Sequence, residues 1–306
     1  MINNLILFFF IIFLVINSFY INKYEKFENK NLYFYTFCVY IGRHSKEDLI
    51  GSLKLLVKSL NKYVKNYKLI VFKNFNIEFN DPNIIYRDYY QGDIKIYKND
   101  RWKELSFNKL NIFKDLNQEF KKDFIWLDLD TIIVYDISYF NKYDNLFIIN
   151  GGKMEENHKI FLNSDKYIIK SNNEIQGNVW KINMNIYNKL VECLKNDIQK
   201  KKLILKYDLQ DLFNYYIYKK DKPSNYNLIG KNIQKNILNG LAVWENPKKN
   251  KHSHGDIEGI ENLFRKNGVL KTKYYPNYDI HILSITFFAY NRIKNNKKFK
   301  TLLNFN

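Results

Sequence analysis

The stretch Phe124-Ile125-Trp126-Leu127-Asp128-Leu129-Asp130-Thr131-Ile132-Ile133-Val134 constrains this chain more than any other. Phe124 to Leu127 is fully apolar and reads as a short strand buried on both faces. Asp128 and Asp130 follow at its C-terminal end, and a second apolar run, Ile132 to Val134, resumes at once. Unpaired carboxylates are costly in a core, so the chain must bring them to an edge or a turn. Parallel α/β sheets bind ligands at the C-terminal ends of their strands.

The surrounding pattern fits an α/β domain. Leu32 to Ile41 is rich in aromatic and β-branched residues and runs into Gly42, as a strand ending in a turn does. Leu49, Leu53, Leu56, Leu60 and Val64 recur at helical spacing, with Ser45 placed as an N-cap. Leu69 to Phe72 and Ile84 to Tyr86 read as the next strands. Strand, helix, strand predicts a largely parallel sheet flanked by helices. A helix over 102–120 carries Leu105, Ile112, Leu116 and Phe120 on one stripe, and Lys109 falls on that stripe. A lysine there either snorkels to water or meets an anion at the sheet edge. Leu146 to Ile149 and Asn178 to Ile182 predict strands; 186–201 and a segment opening near Asp208 predict helices. Residues 219–256 contain Pro223 and Pro247 and read as loop-rich. Tyr278 to Phe288 predicts a late strand or strand pair.

Two carboxylates one residue apart on a strand would lie about 7 Å from each other on one face. Their hard oxygens suit Mg(II) or Mn(II), which bind through few protein carboxylates and substrate phosphates. Such an ion offsets the charge of a departing diphosphate. Asp-x-Asp alone is equally a pair of solvated turn residues; the apolar runs on both sides are what favour a metal site.

Phe124 to Asp136 resembles the Asp-x-Asp segment of glycosyltransferases with the GT-A fold, above all the glycogenin and lipopolysaccharide galactosyltransferase-like group and the α-galactosyl/xylosyltransferase group. Weaker likenesses follow in the family's order over about residues 32–220. The helix of Lys109 resembles one whose lysine faces the nucleotide. Glu174 to Val179 resembles a strand lining the acceptor side, and Asp208-Leu209-Gln210-Asp211 an element opening a helix near the sugar.

The resemblance implies a GT-A α/β fold with a mostly parallel, Rossmann-like mixed sheet. It implies a catalytic domain over 32–306 whose acceptor side includes 219–256. The reaction it implies is metal-dependent transfer from a nucleoside-diphosphate sugar, of the UDP type, to a glycan, protein or lipid hydroxyl, with a lean to retention. Gln176, Gln210 and Asp211 would act at the sugar; a first-turn Asp211 is equally explained by capping. Thr36, Tyr40, Gly42, Arg43, Lys109, Asp128, Gly177 and Asn178 would contact the nucleotide sugar. Gly177 is also what a strand bulge would use. Asp128 and Asp130 would hold Mn2+ or Mg2+, with His281 as third ligand. His254, in Lys251-His252-Ser253-His254-Gly255, is the other candidate.

Composition limits the alternatives. Aromatics make up 17% of the 306 residues, which excludes a disordered chain for most of the length. Cys38 and Cys193 are the only cysteines, so there is no disulfide framework, although one bridge is possible. The net charge of +18 invites anionic partners. Arginine is scarce beside lysine, however, and the crowding of Lys, Asn, Ile, Tyr and Phe matches an AT-rich genome. That disfavours nucleic acid as a partner, since its readout leans on arginine.

Leu5 to Ile16 is unbroken apolar sequence. Residues 1–21 therefore read as a signal-anchor or a cleaved signal, and 22–31 as a stalk. An uncleaved segment gives a single-pass membrane protein of an endomembrane lumen, and a cleaved one a secreted protein. Two rivals to sugar transfer remain. A haloacid-dehalogenase-type phosphatase also uses Asp-x-Asp, but wants Thr or Val where Ile132 stands and carries the motif near its domain start. A basic, membrane-anchored protein binding nucleic acid or another anion is the non-enzymatic rival.

Overall fold

The computed structural model describes residues 31–94, 100–150, 158–159, 163, 168–169, 174–220, 227–229, 237–244, 257–285 and 295–303. The signal or anchor call on 1–21, most of the stalk, His252 and His254 lie outside them. Among the described residues no helix is long and apolar enough to cross a membrane.

The chain opens with β1 (Leu32–Cys38), α1 (Lys46–Tyr63), β2 (Tyr67–Lys73), β3 (Ile84–Asp88), α2 (Arg101–Phe120) and β4 (Phe124–Leu127). Ser45 caps α1 by accepting from the Asp48 amide at 3.1 Å. The apolar stripe of α1 is buried, with Leu53, Leu56 and Leu60 fully enclosed, each contributing roughly 1.5–3 kcal/mol by leaving water. Asp100 starts α2 one residue earlier than its periodicity predicts, because its carboxylate accepts from the amides of Trp102 and Lys103.

After β4 come β5 (Thr131–Ile133), β6 (Leu146–Asn150), the short pair β7 (His158–Lys159) and β8 (Ile168–Ile169), β9 (Glu174–Lys181), α3 (Met184–Cys193), α4 (Asp208–Tyr215) and β10 (Asn227–Ile229). The remainder comprises β11 (Ile237–Leu238), β12 (Leu241–Trp244), β13 (Ile257–Gly259), β14 (Leu263–Lys266), β15 (Val269–Thr272), β16 (Tyr275–Ile280), β17 (Ile282–Ser284) and α5 (Lys297–Leu303). The late segment is thus a strand pair, broken at His281. The predicted helix over 186–201 is α-helical only to Cys193 and continues as a π-helix, Leu194–Gln199. Most of 219–256, read as loop-rich, lies outside the described residues. Its described parts include β10, β11 and β12, strands too short for a period-2 pattern to register.

The seven-stranded main sheet has the order β10-β6-β9-β4-β1-β2-β3. Its pairings are parallel except where β9 lies between β4 and β6. This is the mixed, mostly parallel α/β sheet expected. One apolar layer, built on α2, α3 and α4, covers one face around Trp126 and Trp180. A second, built on α1, covers the other around Phe34 and Ile125. A further sheet, β13-β12-β17-β5, takes the chain on directly from Asp130. Cys38 and Cys193 are buried free thiols, so the possible bridge is not formed.

Candidate active site

The parallel strands end on one edge, and β4 delivers Asp128 there. Backbone bonds pin the turn: the Asp128 amide donates to the Asn178 carbonyl at 2.7 Å and the Thr131 amide to the Asp128 carbonyl at 3.0 Å. On the other side of the turn, the Ile285 amide donates to the Asp130 carbonyl at 2.8 Å.

The lysine on the apolar stripe of α2 has an anion to meet. Lys109 Nζ donates to Asp128 Oδ1 at 2.7 Å and sits 4.4 Å from the centre of the Trp126 ring. The Trp126 indole Nε1 donates to the same oxygen at 2.7 Å. The lysine side chain is mostly enclosed, whereas that of Asp128 is 30% exposed. A charge-assisted bond in such a place is stronger than one in open water. It fixes one carboxylate oxygen of Asp128 inward.

Asp130 is half-buried. Burial, then the Asp128 charge, push its carboxyl up to about 8 against the opposing pull of Lys109. Two carboxylates this close demand more positive charge than Lys109 alone supplies. The donor set suits a hard divalent ion that takes its other ligands from phosphate or water.

It does not include His281. In the antiparallel pairing of β17 with β5, Ser284 lies opposite Thr131 and Ile282 opposite Ile133. His281 therefore stands beside Val134, whose amide donates to its carbonyl at 2.9 Å. That is the far end of β5 from Asp130. The His281 ring shares a 3.1 Å hydrogen bond with the Tyr139 hydroxyl through Nδ1 and stacks on Tyr135 at 4.5 Å between centres. Among the described residues no three His, Cys, Asp or Glu side chains gather as a metal site. The third-ligand expectation for His281 is corrected by strand register: it is a core histidine.

Two other expectations change. Asp211 is completely buried, and its Oδ2 accepts from the Tyr207 amide at 2.6 Å. It caps its own helix rather than facing a sugar. Thr36 is completely buried in the middle of β1, and its Oγ1 has no hydrogen-bond partner. Interior packing, not ligand contact, surrounds it.

The strand β9 carries the next group. Trp180 pairs with Phe147 and Ile175 with Ile149, so β9 uses more residues than β6 between those pairs. The excess is a bulge over Gln176, Gly177 and Asn178, a device that re-aims side chains beside active sites. A Cβ on Gly177 would meet Gln210 at an ordinary 3.5 Å, so the bulge accounts for this residue better than close approach does. Asn178 has its Oδ1 buried with no partner. Gln210, at the start of α4, donates to Glu174 at 2.8 Å and accepts from the Gly177 amide at 3.4 Å.

No family model and no curated protein matches this chain.

On the β1 side, Tyr40 is exposed and its backbone is clasped at both ends by Asn74. Gly42 adopts φ +86°, which turns the chain away from the sheet edge. The Arg43 guanidinium lies 4.3 Å from the centre of the Trp102 ring, in the first turn of α2.

Asp208 is the residue that sequence reasoning overlooks, because an aspartate opening a helix reads as an ordinary cap. It occupies the left-handed region at φ 53°, and its Oδ1 is buried without a partner. Burial raises its carboxyl to about 6, while the charges of Lys103 and Lys109 pull it down. Asp208 thus shares the field of the lysine that holds Asp128. A non-glycine residue at such a φ costs about 1–2 kcal/mol, and strain of this kind collects at functional sites. Glycine at Asp208 is expected to raise stability by about 1 kcal/mol while lowering turnover. Thermal melting alongside an activity assay tests both halves; a lower melting temperature rules out the strain reading.

Proposed function

We propose that this chain is a divalent-metal-dependent glycosyltransferase of the GT-A kind, which moves a sugar from a UDP-type donor to a hydroxyl of a glycan, protein or lipid. The supporting observation is the pairing of Lys109 with Asp128, beside a second carboxylate at Asp130, where the central strand of a mostly parallel sheet ends. In this reading Asp128 and Asp130 hold Mn2+ or Mg2+, which when bound offsets the charge developing on the diphosphate.

Lys109 orients Asp128 and adds fixed positive charge at the diphosphate. Arg43, over the Trp102 ring, is the second cation in this reading, and the exposed Tyr40 ring offers a stacking surface to the base. Gln176, Asn178, Gln210 and Asp208 supply polar groups on the sugar side. The bulge of β9 is joined to α4 through the Gly177 amide, which donates to Gln210.

Calorimetric titration of the protein with Mn2+, then with a panel of nucleotide sugars, tests this. A nucleotide sugar is expected to bind only with the metal present. Metal binding needs ionised Asp130, whose carboxyl is raised to about 8. Below that value Mn2+ affinity is expected to fall by about tenfold per pH unit, and above it to level off. Donor binding that ignores the metal, or Mn2+ affinity that is flat in pH, sinks the reading.

A further inference from the structure

The lysine richness of the chain is general, but its separation from acidic residues is local. From Leu49 to Ile77 there are six lysines and no Asp or Glu, and from Ile280 to Asn306 five basic residues and again no acid. Codon bias explains many lysines; it does not explain segments emptied of acids. Along α2, by contrast, acids alternate with bases, as in the pairing of Lys114 with Asp115.

The fold brings the two acid-free segments together. Lys62, near the end of α1, donates to the Leu303 carbonyl of α5. Arg265 of β14 donates to the Leu302 carbonyl and, at 2.9 Å, to the Tyr63 hydroxyl. The charges of Arg265 and Lys58 both hold the Lys62 ammonium below its ordinary range, after burial. Lys58, Lys62, Lys65, Lys266, Lys298 and Lys300 are all exposed there. The face is strongly positive, with exposed Glu261 and half-buried Asp81, which accepts from Asn61 of α1, as the acids beside it.

This same end of the molecule is where the preceding chain arrives. The Leu32 amide donates to the Asn66 carbonyl at 3.0 Å, one residue past Lys65. The thirty residues before Asn31 contain the apolar run Leu5 to Ile16. We propose that the face built from the end of α1, β14 and α5 docks on an anionic lipid bilayer, which the N-terminal segment enters from the same side. An apolar segment and a polybasic patch together make a stable anchor where either alone is marginal. β1 runs from this end to the Asp128 end over about 20 Å, so the site faces away from the headgroups. The inference does not rest on sugar transfer.

Flotation of the full chain on vesicles tests it, with phosphatidylcholine alone compared with phosphatidylcholine mixed with phosphatidylglycerol. The wild type is expected to prefer the anionic vesicles. Each lysine is worth about fivefold in partitioning near such a surface. Lys58→Gln, Lys65→Gln, Lys266→Gln and Lys300→Gln combined are therefore expected to lower anionic binding by about a hundredfold or more, with neutral binding unchanged. The matching set of arginine substitutions is expected to restore the preference, which separates lost charge from lost folding. Equal binding to both vesicles, a preference that survives the glutamines, or tighter wild-type binding to duplex DNA than to anionic vesicles at equal phosphate overturns the proposal.

Discussion

Alanine at Asp130 is expected to lower kcat/KM for sugar transfer by about a thousandfold or more, the several kcal/mol that a bound ion supplies. The folded protein should not suffer. Asp130 is held well above its usual pKa by burial and by Asp128, so the metal-free protein is strained by its ionisation. The sign follows from linkage. A carboxyl with a raised folded pKa favours the native state while protonated and disfavours it as pH climbs towards that pKa. The variant should therefore melt no lower than the wild type at pH 8 while losing metal-dependent donor binding. Activity within tenfold of wild type would remove Asp130 from the site. A large fall in melting temperature would make it a structural residue instead.

The second large effect is acid sensitivity seated at His281. Burial lowers this imidazole from 6.5 to about 4, although the charges of Asp279 and Asp136 pull the other way. The unfolded chain thus binds a proton that the folded one refuses. Stability from this group is full above pH 6.5 and is lost as pH falls towards 4, by about 3 kcal/mol in all. His281→Gln keeps a polar partner for Tyr139 and cannot titrate. Chemical denaturation at a series of pH values should show the wild-type decline flattened by about that amount in the variant. An unchanged pH profile would mean that the ring is solvated in the folded state.

The main sheet was readable because its signals are local. The Ser45 cap, the leucine stripe of α1 and the four apolar residues before Asp128 each declare an element within a few positions. Lys109 was readable for a related reason: a charge on an apolar stripe needs an explanation, and Asp128 supplies it. The misreadings share a cause as well. Whether His281 reaches Asp130 depends on how β17 registers against β5, and that register sets Ile285, not His281, beside Asp130. An apolar run such as Tyr278 to Leu283 carries no mark of that register. Asp211 accepts from the Tyr207 amide while Asp208 sits in a left-handed turn with an unpartnered oxygen, and no glycine announces that turn. The β9 bulge was half-visible in Gly177, but its extent depends on the register with β6, which no residue of β9 declares.

The reversed direction of β9 also bears on the order of assembly. The strands β1 and β2 join through α1 and β3 and β4 through α2, while β2 and β3 join through residues 74–83 without a helix. Pairings of long sequence separation close late, because their loop entropy must be met first. The pairing of β4 with β1 is the longer closure, Tyr33 with Phe124, whereas β9 meets β4 at Ile125 with Lys181 and β6 at Phe147 with Trp180. Lys109 and Asp128 therefore meet early, across the short step from α2 to β4. Gln176 and Asn178 join them through the antiparallel unit of β4, β6 and β9. The β1 edge, with Tyr40 and Arg43 beyond it, is the last part to close.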